Sequence, residues 1–104
     1  MLFKTAFISH VPDANLEEDC CQLETGLYKL YVRLVSGQNE AVHVAKDLVE
    51  NEGVQSILLC PGFNHQQISE ISRAIGDKAG ISVARGDGPS SRKAMQAMKK
   101  AGWF

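Results

Sequence analysis

Two reactive side chains, an imidazole and a thiol, stand where apolar runs of the chain end. His10 follows the run Leu2–Ser9, and Cys60 closes the run Val54–Cys60. An imidazole titrates near neutral pH, so His10 is a candidate general acid or base. Cys60 precedes a turn into a helix start, which favours the nucleophilic thiolate. The alternatives are a hydrogen-bonding His10 in a strand-to-loop turn and an inert, buried Cys60.

Further polar side chains near the ends of these and a later apolar run are candidates for ligand binding. They are Ser9, Asn64, His65, Arg85, Asp87 and Ser90. The glycine-rich segment Gly86–Ser91 has the composition of a phosphate cradle, because glycines let backbone N–H groups converge at a helix start. It matches neither the P-loop nor the dinucleotide fingerprint. A loop that only reverses the chain has the same composition, so both interpretations stay open.

A metal or cofactor site is not indicated. His10, Cys60, His65 and Asp87 could be combined into a ligand set, but their spacing matches no metal motif. We therefore expect no metal and no cofactor. The three cysteines include no C-x-x-C pair, which favours reduced thiols in the cytoplasm over a disulfide framework.

Length and charge exclude several classes of protein. The 104 residues suit a single domain, residues 1–104, and 11 basic against 12 acidic residues give a net charge of -1. That balance creates no general field for nucleic acid or an anionic membrane. The chain has no apolar stretch that could span a bilayer, and we expect no signal peptide. A chain this short leaves about a third of its unfolded surface exposed, so we expect a homo-oligomer.

The elements that must position these side chains alternate along the chain. The four apolar runs are Leu2–Ser9, Leu27–Val35, Val54–Cys60 and Ile81–Ala84. Helical patterns follow each of them, beginning at Asp13, Ser36–Asn39, Asn64 and Ser90 or Ser91. The first helical pattern carries Leu16, Cys20 and Leu23 at helical spacing.

Strands that alternate with helices predict an α/β fold with a mostly parallel, four-stranded sheet. The run Leu27–Val35 alternates apolar with polar residues, which is typical of an edge strand. The strand order 2-1-3-4 follows, with helices on both faces, in a flavodoxin-like (βα)4 layout. In such a sheet ligands bind beyond the carboxyl ends of the strands, where the candidate side chains would gather.

Three segments resemble an uncharacterised family of small prokaryotic α/β proteins, a domain of unknown function. They are Lys4–Ile8, Ala45–Glu50 and Leu59–Phe63, and the resemblance spans most of the chain. Its most distinctive part is the turn that contains Cys60, Gly62 and Phe63. The resemblance implies no activity, but it draws attention to this turn.

The residues alone do not decide whether the protein is an enzyme, and they leave three functions open. The first is an enzyme that acts by proton transfer through His10 on a small carboxylate or phosphate metabolite, with Arg85 and the Asn64 helix start holding the anion. The second is a binding or sensing module at the same edge. The third is an oligomeric interaction protein that buries Tyr31 and Trp103 between subunits.

Overall fold

The structure is a computed structural model that describes residues 1–104. It contains five strands and three helices, and none of the helices is both long and apolar enough to cross a membrane. In chain order the elements are β1 (Phe3–His10), β2 (Cys20–Glu24), β3 (Tyr28–Val35), α1 (Gln38–Glu52), β4 (Ser56–Leu59), α2 (His65–Ile75), β5 (Gly80–Val83) and α3 (Gly88–Lys100).

The five strands form one mixed sheet in the order β2-β3-β1-β4-β5. The strands β3, β1, β4 and β5 are parallel to one another, and they correspond to the four predicted runs in the predicted order. The α/β class is therefore confirmed. The fifth strand, β2, pairs antiparallel with β3 and forms the edge of the sheet.

The helix predicted from Asp13 is wrong, and with it the four-stranded (βα)4 layout. Leu16 lies in a turn region, whereas Cys20 and Leu23 belong to β2. Asn15 stabilises the turn, since its Oδ1 accepts the N–H groups of Glu17 and Glu18 at 3.0 and 3.2 Å. The three apolar positions fit a helical period, but hairpin pairing with β3 outweighs that local pattern. Consequently the predicted edge strand Leu27–Val35 lies inside the sheet.

Helices on both faces of the sheet were also predicted, and this is wrong. The crossovers β3-α1-β4 and β4-α2-β5 step along the sheet in the same direction, so right-handed connections place both helices on one face. α1 and α2 pack against each other there. A helix on the other face would have to connect β1 to β3, and the hairpin strand β2 takes its place.

The face under α1 and α2, here called the covered face, holds the apolar core. Its buried side chains from the sheet include Ala6, Ile8, Tyr31, Ile57 and Leu59, packed beneath Leu48 and Ile71 of the helices. Because alternate strand residues point to opposite sides, the remaining set projects from what we call the open face. That set comprises Leu23, Phe3, Thr5, Phe7, Tyr28, Leu30, Val32 and Leu58.

Tyr31 does not lie between subunits, as the interaction hypothesis expected. It is buried within the chain on the covered face, and its hydroxyl donates to Glu52 Oε2 at 3.4 Å. Tyr31 is buried because it faces the covered side from a strand inside the sheet. The alternation of apolar and polar residues around it had indicated an edge strand instead.

The helix α3 stands apart from this core. None of its residues is buried, and no other helix or strand packs extensively along it. The radius of gyration is 14.1 Å, against about 13 Å for a compact domain of 100 residues. The structure therefore consists of a two-layer core and one projecting helix.

The different depths of two leucines lead to a stability prediction. Leu48→Ala removes a side chain that is 0% exposed between α1 and the sheet, so we expect the free energy of unfolding to fall by about 2–5 kcal/mol. Leu27→Ala is the matched control, because Leu27 is 81% exposed and its loss should change stability by less than about 0.5 kcal/mol. Urea unfolding followed by circular dichroism measures both. Equal effects would contradict the assigned core.

Candidate functional site at the carboxyl ends of the strands

The carboxyl ends of β1, β3, β4 and β5 meet at one edge of the sheet, here called the carboxyl rim. Its loops are residues 11–19, 36–37, 60–64 and 84–87. All three helices begin at this rim, so their N-terminal N–H groups and positive dipole ends lie there. The loops that follow these parallel strands therefore share one edge of the sheet.

His10 ends β1 and lies against the turn that follows β4. Its ring stacks on Phe63, with centroids 4.1 Å apart and an interplanar angle of 26°. Its Nε2 atom is buried and has no hydrogen-bond partner. Desolvation by burial lowers the pKa of His10 below its ordinary value, so the ring is neutral at pH 7. A neutral imidazole offers one nitrogen as donor and the other as acceptor.

Cys60 is the side chain that joins the two loops. Its Sγ accepts the backbone N–H of His10 at 3.4 Å, and its own N–H donates to the carbonyl of Ile8 at 3.1 Å. The two reactive residues of the sequence are therefore in direct contact. The thiol is 7% exposed and belongs to the core cluster. This burial favours the interpretation that Cys60 positions β1 against the turn after β4, rather than attacking a substrate.

Gln38 is a rim residue that the sequence analysis missed. It is the first residue of α1, and its Nε2 donates to the carbonyl of Gln67 in α2 at 3.1 Å. Its Oε1 is buried without a hydrogen-bond partner, as is Nε2 of His10. The signal available in the sequence was a glutamine at a helix start two residues after an apolar run, at the same edge as His10.

The candidates Asn64 and His65 lie at the start of α2. Asn64 Oδ1 accepts the N–H of Gln67 at 2.8 Å, and Gln67 Oε1 accepts the N–H of Asn64 at 2.9 Å. This pair is a capping box, so the Asn64 side chain is committed to the helix start. His65 is the exposed first residue of α2 and leaves its imidazole available to a ligand.

The candidates Arg85 and Asp87 bind each other in the loop after β5. The Arg85 Nε and Nη2 groups lie 3.0 and 2.9 Å from Asp87 Oδ1, and both side chains are largely exposed. Gly86 packs closely in this loop, since a Cβ there would come within 2.9 Å of Ser91 Oγ. The same position faces Pro61 at 3.9 Å, which places this loop beside the turn after β4.

The remaining candidates, Ser9 and Ser90, are farther from the imidazole of His10. Ser9 precedes His10 in β1, so its side chain projects toward the open face while that of His10 projects toward the covered face. Ser90 is exposed in the first turn of α3. No group of three or more His, Cys, Asp or Glu side chains is arranged to hold a metal ion.

Fold and site together define a class: a two-layer α/β protein whose unpartnered polar groups lie at the carboxyl rim of a mixed sheet. The chain belongs to DUF6506, a family of unknown function, whose model matches residues 3–100. The resemblance seen in the sequence is therefore confirmed as family membership. No curated protein and no solved structure matches the chain significantly.

The partly buried imidazole of His10 makes stability depend on pH. Because burial lowers the pKa of His10 below 6.5, the unfolded chain takes up a proton more readily than the folded one. The stabilisation that the neutral imidazole provides is complete above the pKa that His10 has in the unfolded chain. It is lost as the pH falls toward the pKa of His10 in the folded chain. We expect the free energy of unfolding to rise between about pH 5 and pH 7.

His10→Gln should flatten this rise, whereas exposed His43→Gln should retain it. Urea titrations across this range measure the slope, and an unchanged slope in His10→Gln would contradict the assignment.

The capping box gives a test of the role of Asn64. Asn64→Ala removes the acceptor for the Gln67 N–H, so we expect a loss of about 0.5–2 kcal/mol in unfolding free energy. Asn64→Asp keeps an acceptor and should stay close to the parent in thermal unfolding. A fully stable Asn64→Ala variant would show that the side chain is free for another role.

Proposed function

We propose that the carboxyl rim binds a small carboxylate or phosphate metabolite and that His10 exchanges a proton with it. The supporting observation is the pair of buried atoms, His10 Nε2 and Gln38 Oε1, that have no hydrogen-bond partner. A buried polar group without a partner costs about 1–3 kcal/mol. Because an ionised carboxylate or phosphate oxygen only accepts hydrogen bonds, the ligand must also carry an O–H or N–H group that donates to Gln38 Oε1, and this pairing recovers part of the cost.

Part of the rim also suits an anion, although the rim loop 11–19 carries four acidic side chains. Three helix N-termini supply partial positive charge, and the loop after β5 adds the guanidinium of Arg85. Two of the five N–H donors of that guanidinium engage Asp87, which leaves Nη1 for an oxyanion. The chain continues to β3 on one side of β1 and returns to β4 on its other side, so the strand order reverses at β1. The proposal shares with flavodoxin-like proteins that the ligand binds at the carboxyl ends of the strands beside this point.

Proton transfer follows from the state of His10. Burial lowers its pKa, so the ring is a neutral base at pH 7 whose Nε2 has no competing partner. Stacking on Phe63 and the contact between its backbone N–H and Cys60 hold the ring in place. In this proposal His10 is the catalytic residue, Cys60 is a positioning residue, and Gln38 accepts a hydrogen bond from the ligand.

A non-catalytic binding or sensing module is the second candidate. The burial of Cys60 favours it, because a thiol that is 7% exposed offers no ready nucleophile. In that case His10 only hydrogen-bonds to the ligand. For either function we propose the cytoplasm as the compartment, with no nucleic-acid or membrane partner, since a reducing compartment maintains the three free cysteines.

A ligand screen followed by isotope exchange tests this proposal. Small carboxylates and phosphates are added to the protein while thermal unfolding is monitored, and a compound at a hundredfold excess over its Kd should stabilise by about 2.7 kcal/mol. Gln38→Met should weaken binding of that compound at least about tenfold through the lost acceptor. His43→Gln, on the exposed side of α1, is the matched control and should bind normally.

Deuterium uptake separates the two candidate functions. The stabilising compound is incubated in D2O with the protein, and its C–H signals are followed by NMR. Loss of a signal with the parent but not with His10→Gln establishes proton transfer. Binding without uptake establishes the binding module and rejects catalysis. If no compound in the panel stabilises the protein, the anion site is rejected.

A further inference from the structure

The open face of the sheet is an apolar surface that no element of the chain covers. Its rows run across the strands, with Val32, Phe7 and Leu58 aligned in one of them. Phe3 is 50% exposed and Leu58 40% exposed, and the face forms a groove of about 530 Å³. A sheet in an α/β protein normally has both faces covered, so this face lacks its second layer.

The projecting helix α3 is an amphipathic helix without a partner. Ala94, Met95 and Met98 lie on one side at helical spacing, and Met95 is 52% exposed. The helix contains four cationic side chains and no acidic one: Arg92, Lys93, Lys99 and Lys100. Helices are stabilised chiefly by packing of the apolar side, which α3 lacks within its own subunit.

Charge distinguishes the two ends of the molecule. The segment from residue 13 to residue 24 contains five acidic side chains and no basic one: Asp13, Glu17, Glu18, Asp19 and Glu24. This segment leads into and forms β2 at one edge of the sheet, whereas α3 follows β5 at the opposite edge. The acidic and the basic ends are therefore far apart within one chain, but the acidic end of one copy is complementary in charge to the basic end of another.

We propose that two copies of this chain form a homodimer by exchanging α3, so that the helix of each copy covers the open face of the other. Thirteen residues make α3 about 20 Å long, and five strands about 4.8 Å apart make the face about 20 Å wide. One helix thus spans one face. A two-fold axis places the β5 edge of one copy beside the β2 edge of its partner, where opposite charges meet.

Two other arrangements leave part of this surface unsatisfied. In the first arrangement α3 folds back from the carboxyl rim onto its own sheet. Its last turn, with Lys99, then lies near the amino ends of the strands, away from the acidic loop that contains Glu17. Direct contact between two open faces would cover Leu58 but leave Met95 and Met98 of both copies in water. Exchange of α3 covers both apolar surfaces and pairs the charges.

Association of the full-length chain tests the proposal, with charge reversal as the critical comparison. Sedimentation velocity should show a dimer for the parent. Met95→Glu, and the double variants R92E/K99E and E17K/E18K, should each weaken the dimer at least about tenfold. The variant that combines both charge reversals in one chain should restore the dimer. K46E/R73E changes two exposed basic side chains on α1 and α2, outside both surfaces, and should associate like the parent.

Each outcome bears on the proposal. Because α3 contributes no buried residue, all these variants should keep the circular dichroism of the folded subunit. A parent that stays monomeric at about 100 μM, well above the Kd of a stable dimer, would overturn the exchange. So would a dimer weakened by Leu58→Glu but indifferent to Met95→Glu, which would indicate face-to-face packing. The test is independent of the proposed ligand site, since none of the variants changes His10, Gln38 or Arg85.

Discussion

Parallel pairing of β1 with two neighbours, β3 and β4, is the constraint on which the rest of the structure depends. Parallel neighbours cannot be joined by a tight turn, so each return of the chain must cross the layer outside the sheet. The crossover from β3 to β4 must pass over β1, which places α1 above the centre of the sheet. The same pairing brings the carboxyl end of β1 beside that of β4, and with it His10 beside Cys60.

The asymmetry of the two faces follows from one connection. The chain between β1 and β3 forms the antiparallel strand β2 rather than a helix, which widens the sheet and leaves one face without a layer. An apolar sheet face exposed to water is unfavourable in proportion to its area. The free helix α3 is the complementary feature, because its apolar side is exposed as well. The proposed exchange of α3 between two copies would cover both surfaces with one interface.

The rim and the open face are separate parts of the molecule with different chemistry. The rim brings together a neutral, partly buried imidazole, an unpartnered amide oxygen on Gln38 and the starts of three helices. The open face is apolar and carries Phe3, Phe7 and Leu58. Small polar ligands suit the first surface and a protein surface suits the second. A protein of this fold can therefore combine ligand binding at one edge with assembly on one face.

The amino-acid sequence by itself determined the features that rest on local pattern: four parallel strands, the capping box at Asn64 and the presence of His10 and Cys60 at strand ends. The predicted strand order is also the observed one, although the edge position assumed for Leu27–Val35 is wrong. These features follow from hydrophobic periodicity and capping chemistry, which act over a few residues. Tertiary structure decided that residues 20–24 form a strand, since hairpin pairing with β3 stabilises a conformation that local spacing does not favour. It also decided the burial of Tyr31 and the unpartnered oxygen of Gln38. Each of these depends on which distant residues meet, and side-chain contacts across the fold are not encoded in any short segment.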